Sequence, residues 1–248
     1  LKKIILHREN LRYTFDPELF RAFDGQKLWK ITRRSKYLLF WLERGGLLSH
    51  LGMTGHWRIE SGGFQMQKHD HVEIHFDSGL RLIYNDPRRF GFFDTFEKPE
   101  DHKLLKEIGP EPLERNFTAE ILCSNLLGRS GPIKSVLMNQ AVVAGVGNIY
   151  ASEVLFKAGI KPSKSAKKLR DFECSRLVVE LKKLLNKSIR LGGSSFDDFK
   201  HITGEKGDFQ NHFWVYDREG ERCRVCGQLI KKKIFSGRST YWCASCQK

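Results

Sequence analysis

"CRVCGQLIKKKIFSGRSTYWCASC" (223–246) places two Cys-x₂-Cys pairs on either side of sixteen residues, and its reading decides how the rest of the chain divides. Two thiolates offered from each of two tight turns match a four-thiolate tetrahedral zinc site. Cys223, Cys226, Cys243 and Cys246 are therefore expected to hold one structural Zn²⁺, with β-rich residues between them forming a hairpin. The alternative, a pair of disulfides, belongs to scaffolds far smaller than 248 residues. Arg224, Lys231, Lys232, Lys233, Arg238 and Lys248 carry positive charge, and no acidic residue lies between Cys223 and Lys248. Four thiolates on Zn²⁺ contribute minus two, so the segment keeps an excess of positive charge. A finger held only for folding has no need of that bias.

Working outward, the same sign dominates the whole chain. The formal net charge is +14 and the pI about 9.6, which points to an acidic partner. No apolar run is long enough to span a bilayer, and "LKKIILHREN" is too charged for a secretory signal. The expected polyanion is nucleic acid rather than a membrane surface. At 40% hydrophobic residues the chain can bury a substantial core.

Upstream of the finger the hydrophobic period changes once. "KYLLFWL", "GLLSHLG", "HWRIE", "HVEIHF", "LRLIYN" and "FGFFDTF" are short β-rich runs separated by turn residues, the pattern of a β-sandwich or barrel. "GPEPLERNFT" (109–118), with two prolines, reads as a linker. After it, "AEILCSNLL", "IKSVLMNQAVV", "NIYASEVLFKAG" and "DFECSRLVVELKKLLNKSIRLGG" repeat at i, i+3, i+4, as amphipathic helices do. The expected fold is thus α+β in three parts: a β-domain over 1–111, a helical domain over 112–213 and a zinc finger over 214–248. Cys123 and Cys174 fall in helical patterns and are expected to be inert core thiols.

Three loop segments carry unusual furniture. "QAVVAGVGNIYASEVLF" (140–156) sets two glycines and Asn148 between helical patterns. Asn148 suits the N-cap of the second helix, and exposed amides there would receive a phosphate. A dinucleotide fingerprint fails, since Tyr150 stands where its third glycine belongs. A plain helical hairpin is the alternative. In "HLGMTG" (50–55) and "DPRRFG" (86–91), Met53 and Phe90 are apolar groups in loops, beside the adjacent Arg88 and Arg89. The ordinary expectation is that Met53 and Phe90 fold into the core. On a basic protein, two apolar wedges and an arginine also suit insertion into a base stack, which an enzyme needs when it holds a nucleotide out of the duplex.

Taken in order, "RRSKYLL", "HLGMTG", "KHDHV", "NDPRRFG", "GVGNIYASE", "VYDREGERC" and "GRSTYWC" resemble the motifs of formamidopyrimidine-DNA glycosylase, and the resemblance runs from Leu1 to Lys248. It implies an N-terminal β-sandwich, a helix-two-turn-helix domain and a C-terminal zinc finger. The implied activity is excision of oxidised purines, 8-oxoguanine and formamidopyrimidines, from duplex DNA, with β,δ-elimination at the abasic site. The implied enzyme is a cytoplasmic monomer of base-excision repair.

By the same resemblance, Met53, Arg88 and Phe90 fill the gap left by the flipped nucleotide, with Arg88 facing the orphaned cytosine. Lys36 touches phosphate beside the lesion and assists β-elimination; Arg238 grips the same region and assists δ-elimination. His50, Asn148, Tyr216 and Lys232 match further phosphate contacts, and His69 and Arg129 match DNA-binding positions. Lys134 matches a lysine associated with oxidised-purine processing, and "TGEKGDFQ" (203–210) falls where the family encloses the damaged base. Read without the family, His69 and His71 are a surface pair on a strand.

The family's chains begin with Pro-Glu-Leu-Pro-Glu on a helix ahead of the point matching Leu1. That proline amine attacks the sugar C1′, and the adjacent glutamate handles protons. An α-amine with a pKa near ~8 keeps a useful neutral fraction at neutral pH. Nothing in "LKKIILHREN" replaces it, so a segment ahead of Leu1 is expected in the complete protein, and the 248 residues alone are expected to be inactive. Three other readings compete: a lesion- or abasic-DNA-binding protein without catalysis, an endonuclease VIII-like glycosylase, and a general zinc-ribbon module. The last leaves Met53, Arg88 and Phe90 without a purpose.

Overall fold

The computed structural model describes residues 1–194 and 207–248. By contact the chain forms two compact units, one from Leu1 to Lys106 and one from Glu107 to Ser194 with Asp208 to Lys248.

The first unit is two antiparallel four-stranded sheets. One has the order β1-β6-β7-β5, from β1 (Lys3–Leu6), β5 (His56–Glu60), β6 (Asp70–His75) and β7 (Arg81–Asn85). The other has the order β2-β3-β4-β8, from β2 (Lys30–Arg34), β3 (Tyr37–Trp41), β4 (Gly46–His50) and β8 (Phe92–Phe96). The six β-rich runs of the sequence are β3 to β8. Between the sheets lies one core in which Phe40, Leu47 and Phe93 of one meet Trp57, Ile74 and Tyr84 of the other. Trp57 satisfies its buried indole by donating to Ser49 Oγ at 3.0 Å, so an aromatic ring reaches the sandwich centre without an orphaned N–H.

Two strands and a short helix lie outside those six runs. β2, "KITRR", is too polar to show as a core strand because it is the sheet's edge, paired only with β3. Helix α1 (Pro17–Arg21) is a single capped turn: Asp16 Oδ1 accepts from the Glu18 amide at 3.1 Å and Pro17 occupies its first position.

In the second unit, α2 (Ala119–Leu126) starts at the N-cap Thr118 and packs on the 20-residue α5 (Asp171–Arg190). Between them in sequence lie α3 (Ile133–Leu137) and α4 (Asn148–Lys157). Their apolar faces close one core that includes Phe117, Leu137, Val143, Leu155 and Leu177. The hairpin of β9 (Lys231–Phe235) and β10 (Arg238–Trp242) pairs Lys232 with Tyr241, and α4 packs against β10. Val215, Ile230 and Tyr241 form the finger's small core. Among the described residues no helix is long and apolar enough to cross a membrane.

Cys123 and Cys174 are not free thiols: they form a disulfide joining α2 to α5. Helical periodicity shows that each faces the helix interface. It does not show that α2 and α5 bring their Cα atoms to 5.9 Å, within bridging distance.

Candidate nucleic-acid interface

The hairpin register of the first unit sets the first cluster. Tyr37 pairs with His50 across β3 and β4, and the Ser35–Lys36 turn adjoins that pair, so Lys36 and His50 share one sheet end. Burial first, then the charges of Lys36 and Arg12, pull the His50 pKa down to about 4. His50 Nδ1 accepts from the Gly52 amide at 2.9 Å, which puts the proton of the neutral ring on Nε2. His50 is thereby a neutral donor at physiological pH, suited to a phosphate oxygen.

Met53 and Phe90 do not fold into the core; they are 59% and 47% exposed. The Arg88 guanidinium carbon lies 4.7 Å from the centroid of the Phe90 ring. The loops bearing them abut through backbone. Gly52 has φ +65°, and a Cβ there would lie 2.5 Å from the Phe90 carbonyl carbon and 2.6 Å from the Gly91 nitrogen, so only glycine serves. Two of the three side chains thus project as an apolar pair beside a cation that is already stacked.

His69 is half-buried and held at φ +74°, with its carbonyl accepting from the Asp86 amide at 3.1 Å. The surface-pair reading fails for His71. That residue is 3% exposed, its ring bonds the Asp86 carbonyl at 2.9 Å, and burial lowers its pKa. A register shift between Asp70 and Val72 interrupts the pairing at His71, and β6 is buried from Asp70 to Ile74, which simple alternation along the strand does not foresee.

The second unit holds a separate cluster around Lys134. This lysine is 1% exposed, and its ammonium donates to Asn148 Oδ1 at 2.5 Å, Ser239 O at 2.7 Å and Thr240 Oγ1 at 2.9 Å. Burial and then the Arg238 charge push its pKa down to about 8, while three acceptors match its three protons. Asn148 is not the N-cap of α4. Gly147 takes that position without a side-chain cap, and the Asn148 carboxamide is engaged by Lys134 instead. The Asn148 amide group donates to the Tyr216 hydroxyl at 3.5 Å. An uncapped α4 leaves its first N–H groups as donors beside Asn148.

Tyr216 is itself held from below by Glu153. The fully buried Glu153 carboxylate accepts the amides of Trp214, Val215 and Tyr216 at 2.8, 2.9 and 2.8 Å. Arg238 is exposed just beyond the Ser236–Gly237 tip, and among the described residues no carboxylate pairs with it. Lys232, by contrast, pairs with Glu219 at 3.0 Å, a partner lying four residues ahead of Cys223. Arg129 Nε donates to the Asn125 carbonyl at 2.8 Å. Of the stretch 203–210, residues 203–206 lie outside the described residues; Phe209 is buried in the helical core.

The four finger sulfurs lie within 4.8 Å of one another, with Cys226 to Cys243 at 3.4 Å and Cys223 to Cys246 at 3.9 Å. A tetrahedron with Zn–S near ~2.3 Å has S···S edges of about 3.8 Å, so the donor set fits one structural Zn²⁺.

Three family descriptions match the chain in order. "Formamidopyrimidine-DNA glycosylase N-terminal domain" covers residues 1–93, "Formamidopyrimidine-DNA glycosylase H2TH domain" 108–200, and "Zinc finger found in FPG and IleRS" 220–248. The chain belongs to the formamidopyrimidine-DNA glycosylase family. It is 50% identical over 248 residues to the formamidopyrimidine-DNA glycosylase of Bdellovibrio bacteriovorus, covering 100% of this chain and 92% of that one. The Ruegeria pomeroyi enzyme is 42% identical over 98% of this chain and 90% of its own. Among solved structures, MutM (Fpg) of Thermus thermophilus superposes with a TM-score of 0.87 at 35% identity, covering 100% and 91% of the two chains. Lactococcus lactis Fpg in complex with abasic-site DNA gives 0.88 at 35%, covering 99% and 91%.

The family's fold is the one read from the sequence: β-sandwich, helical domain, zinc hairpin. Thr54, Asp86, Glu153 and Thr240 are the supporting residues that sequence reasoning missed. The only signal for Asp86 and Glu153 was an acidic residue inside a motif of a strongly basic chain.

Proposed function

We propose that this chain is the DNA-reading body of a base-excision repair glycosylase that extrudes oxidised purines from duplex DNA, removes the base and nicks the abasic strand. The observation that carries this is the exposed Met53–Phe90 pair with Arg88 on Phe90, on two loops fixed together by close backbone contact. Exposed apolar groups on rigid loops of a +14 protein suit the space beneath a flipped base. Relatives of the chain have been solved with abasic-site DNA, with Fapy-dG DNA and with carbocyclic 8-oxo-G DNA, which fits the same substrate class here.

In this reading Met53, Arg88 and Phe90 occupy the vacated stack, Arg88 meeting the orphaned cytosine. Lys36 and the neutral His50 are phosphate contacts of the first unit; Asn148, Tyr216, Lys232 and Arg238 are phosphate contacts of the second, with Lys134 fixing Asn148. Lys36 and Arg238 also serve the two eliminations. His69 and Arg129 extend the DNA contact. The boundaries 111/112 and 213/214 separate wedge, helical grip and finger. One extrahelical nucleotide engages one wedge, so a monomer in the cytoplasm suffices.

The test is excision of 8-oxoguanine from a duplex by the complete protein, together with binding across a salt series. Release of the base and a steep fall of affinity with salt are expected. Salt-independent binding, or equal affinity for undamaged and abasic duplexes, would sink the reading.

A further inference from the structure

Asp86 does more than turn the chain after β7. It is fully buried, and its two oxygens face both wedge loops. Oδ1 accepts from the Thr54 hydroxyl at 2.5 Å, one residue after Met53. Oδ2 accepts from the Gly91 amide at 2.7 Å, one residue after Phe90, and from the Tyr84 hydroxyl at 3.4 Å. Thr54 closes the circuit, its Oγ1 accepting the amide of Arg88 at 3.2 Å. The backbone of Asp86 adds a third loop, bonding His69 O at 3.1 Å and receiving His71 Nε2 at 2.9 Å.

Burying a carboxylate is costly, and among the described residues no cation pairs with this one. A plain turn could be closed by one backbone hydrogen bond. This one spends a buried charge and a hydroxyl to tie residues flanking Met53, Arg88 and Phe90 to a single centre. A wedge that enters a base stack gains most when its loops are ordered beforehand, because otherwise the ordering entropy is lost on insertion. Phosphate grips on other loops work whether or not the wedge is ordered.

We infer that Asp86 and Thr54 are positioning residues that lock the two wedge loops into one rigid unit and thereby set the preference for lesion and abasic DNA over intact duplex. The inference rests on the wedge reading above. Neither residue touches DNA; both act through Met53, Arg88 and Phe90.

Thr54→Val keeps the shape of the side chain while removing the bridge, Thr54→Ser keeps the bridge, and Asp86→Asn weakens it at the other end. Each full chain is assayed below its own thermal midpoint against undamaged duplex and a duplex carrying a tetrahydrofuran abasic analogue. A 2-aminopurine opposite the analogue reports wedge insertion. Thr54→Val and Asp86→Asn are expected to lose about tenfold in affinity for the abasic duplex and its 2-aminopurine response, and no more than about twofold on undamaged duplex, the size of an ordering cost at two loops. Thr54→Ser should retain both. Adding Thr54→Val to Met53→Ala/Phe90→Ala should cost nothing further.

Equal losses on the two duplexes would overturn the inference in favour of a merely structural role. Preserved preference in Thr54→Val and Asp86→Asn, with Met53→Ala/Phe90→Ala losing it, would remove the lock and leave the wedge standing. If Met53→Ala/Phe90→Ala keeps the preference too, the wedge reading falls and takes the lock with it.

Discussion

Lys134 Nζ donates to Thr240 Oγ1 at 2.9 Å, joining a short helix to the zinc hairpin across 106 residues of sequence. The same ammonium fixes Asn148 at the start of α4 and the carbonyl of Ser239, next to Arg238. One buried cation therefore sets the relative place of the helix terminus and the finger hairpin, the two phosphate grips proposed for this unit.

Replacing Lys134 by Met keeps the stem and removes the three bonds. Binding to undamaged and abasic duplexes should weaken alike, by about 2 kcal/mol, the scale of hydrogen bonds to a charged group. Zinc content should stay at one per chain. The measurement is anisotropy titration with elemental analysis. A selective loss on abasic duplex would show that Lys134 serves the wedge rather than the grip.

The same lysine gives a pH signature. Its pKa is about 8 in the fold against an ordinary 10.5. As pH rises through about 8 its positive charge disappears, so DNA affinity should fall above pH 8 in the parent and stay flatter in Lys134→Met. Stability moves the other way between 8 and 10.5, because the unfolded chain binds the proton that the fold has lost. His50, lowered from 6.5 to about 4, acts lower on the scale. Its contribution to stability is present above about 6.5 and is lost as pH falls toward 4, while DNA binding should show no His50 step near 6.5. Anisotropy and thermal melts across pH 4–10 check both signs.

The zinc finger's core is a few side chains, too small to fold without its metal. Cys243→Ser should lose the zinc and nearly all DNA affinity, leaving much of the helical circular dichroism. The Lys134 bonds to Ser239 and Thr240 would go with the hairpin, so the mutant should resemble Lys134→Met plus loss of Arg238. Retained affinity in a zinc-free protein would contradict this.

How far the sequence reaches is visible residue by residue. Although β4 and β6 are buried along nearly their whole length rather than on one face, β3 to β8 are legible as short β-rich runs between turn residues and α2 to α5 as apolar repeats near i, i+3, i+4. β2 and α1 are not, one being a polar edge strand and the other a single turn stabilised by its cap. At the candidate site, Met53, Phe90 and Arg238 stand out in the sequence as apolar or charged residues in turn-rich stretches, while Lys36 stands out only through the family resemblance and the exposure of Met53 and Phe90 comes from the structure. Asp86, Thr54 and Glu153 are hidden because their partners are backbone amides and distant side chains, which leave no periodic trace. Cys174 shows its burial in the pattern but not its bond to Cys123, since pairing depends on where α2 crosses α5. Asn148 reads as a cap by residue type, and loses that place because Lys134 claims its side chain.

Glu153 supplies the last prediction. Its carboxylate sits inside the protein, where burial pushes its pKa up and the amides of Tyr216, Trp214 and Val215 pull it back. Those three amides have no helix or sheet to satisfy them; the carboxylate is their acceptor, and it holds the turn that presents Tyr216 to Asn148. Glu153→Gln offers one acceptor oxygen and turns an N–H₂ toward the remaining donors. The cost should be about 2–3 kcal/mol, the penalty for leaving buried donors unsatisfied. DNA affinity should fall on all duplexes through the displaced Tyr216, with lesion preference intact, because the wedge lies in the other unit. Denaturant unfolding gives the first quantity and paired anisotropy titrations the second. A variant as stable as the parent would show that the 214–216 turn holds itself. A stable variant that loses only lesion preference would place Tyr216 in damage recognition instead of phosphate binding.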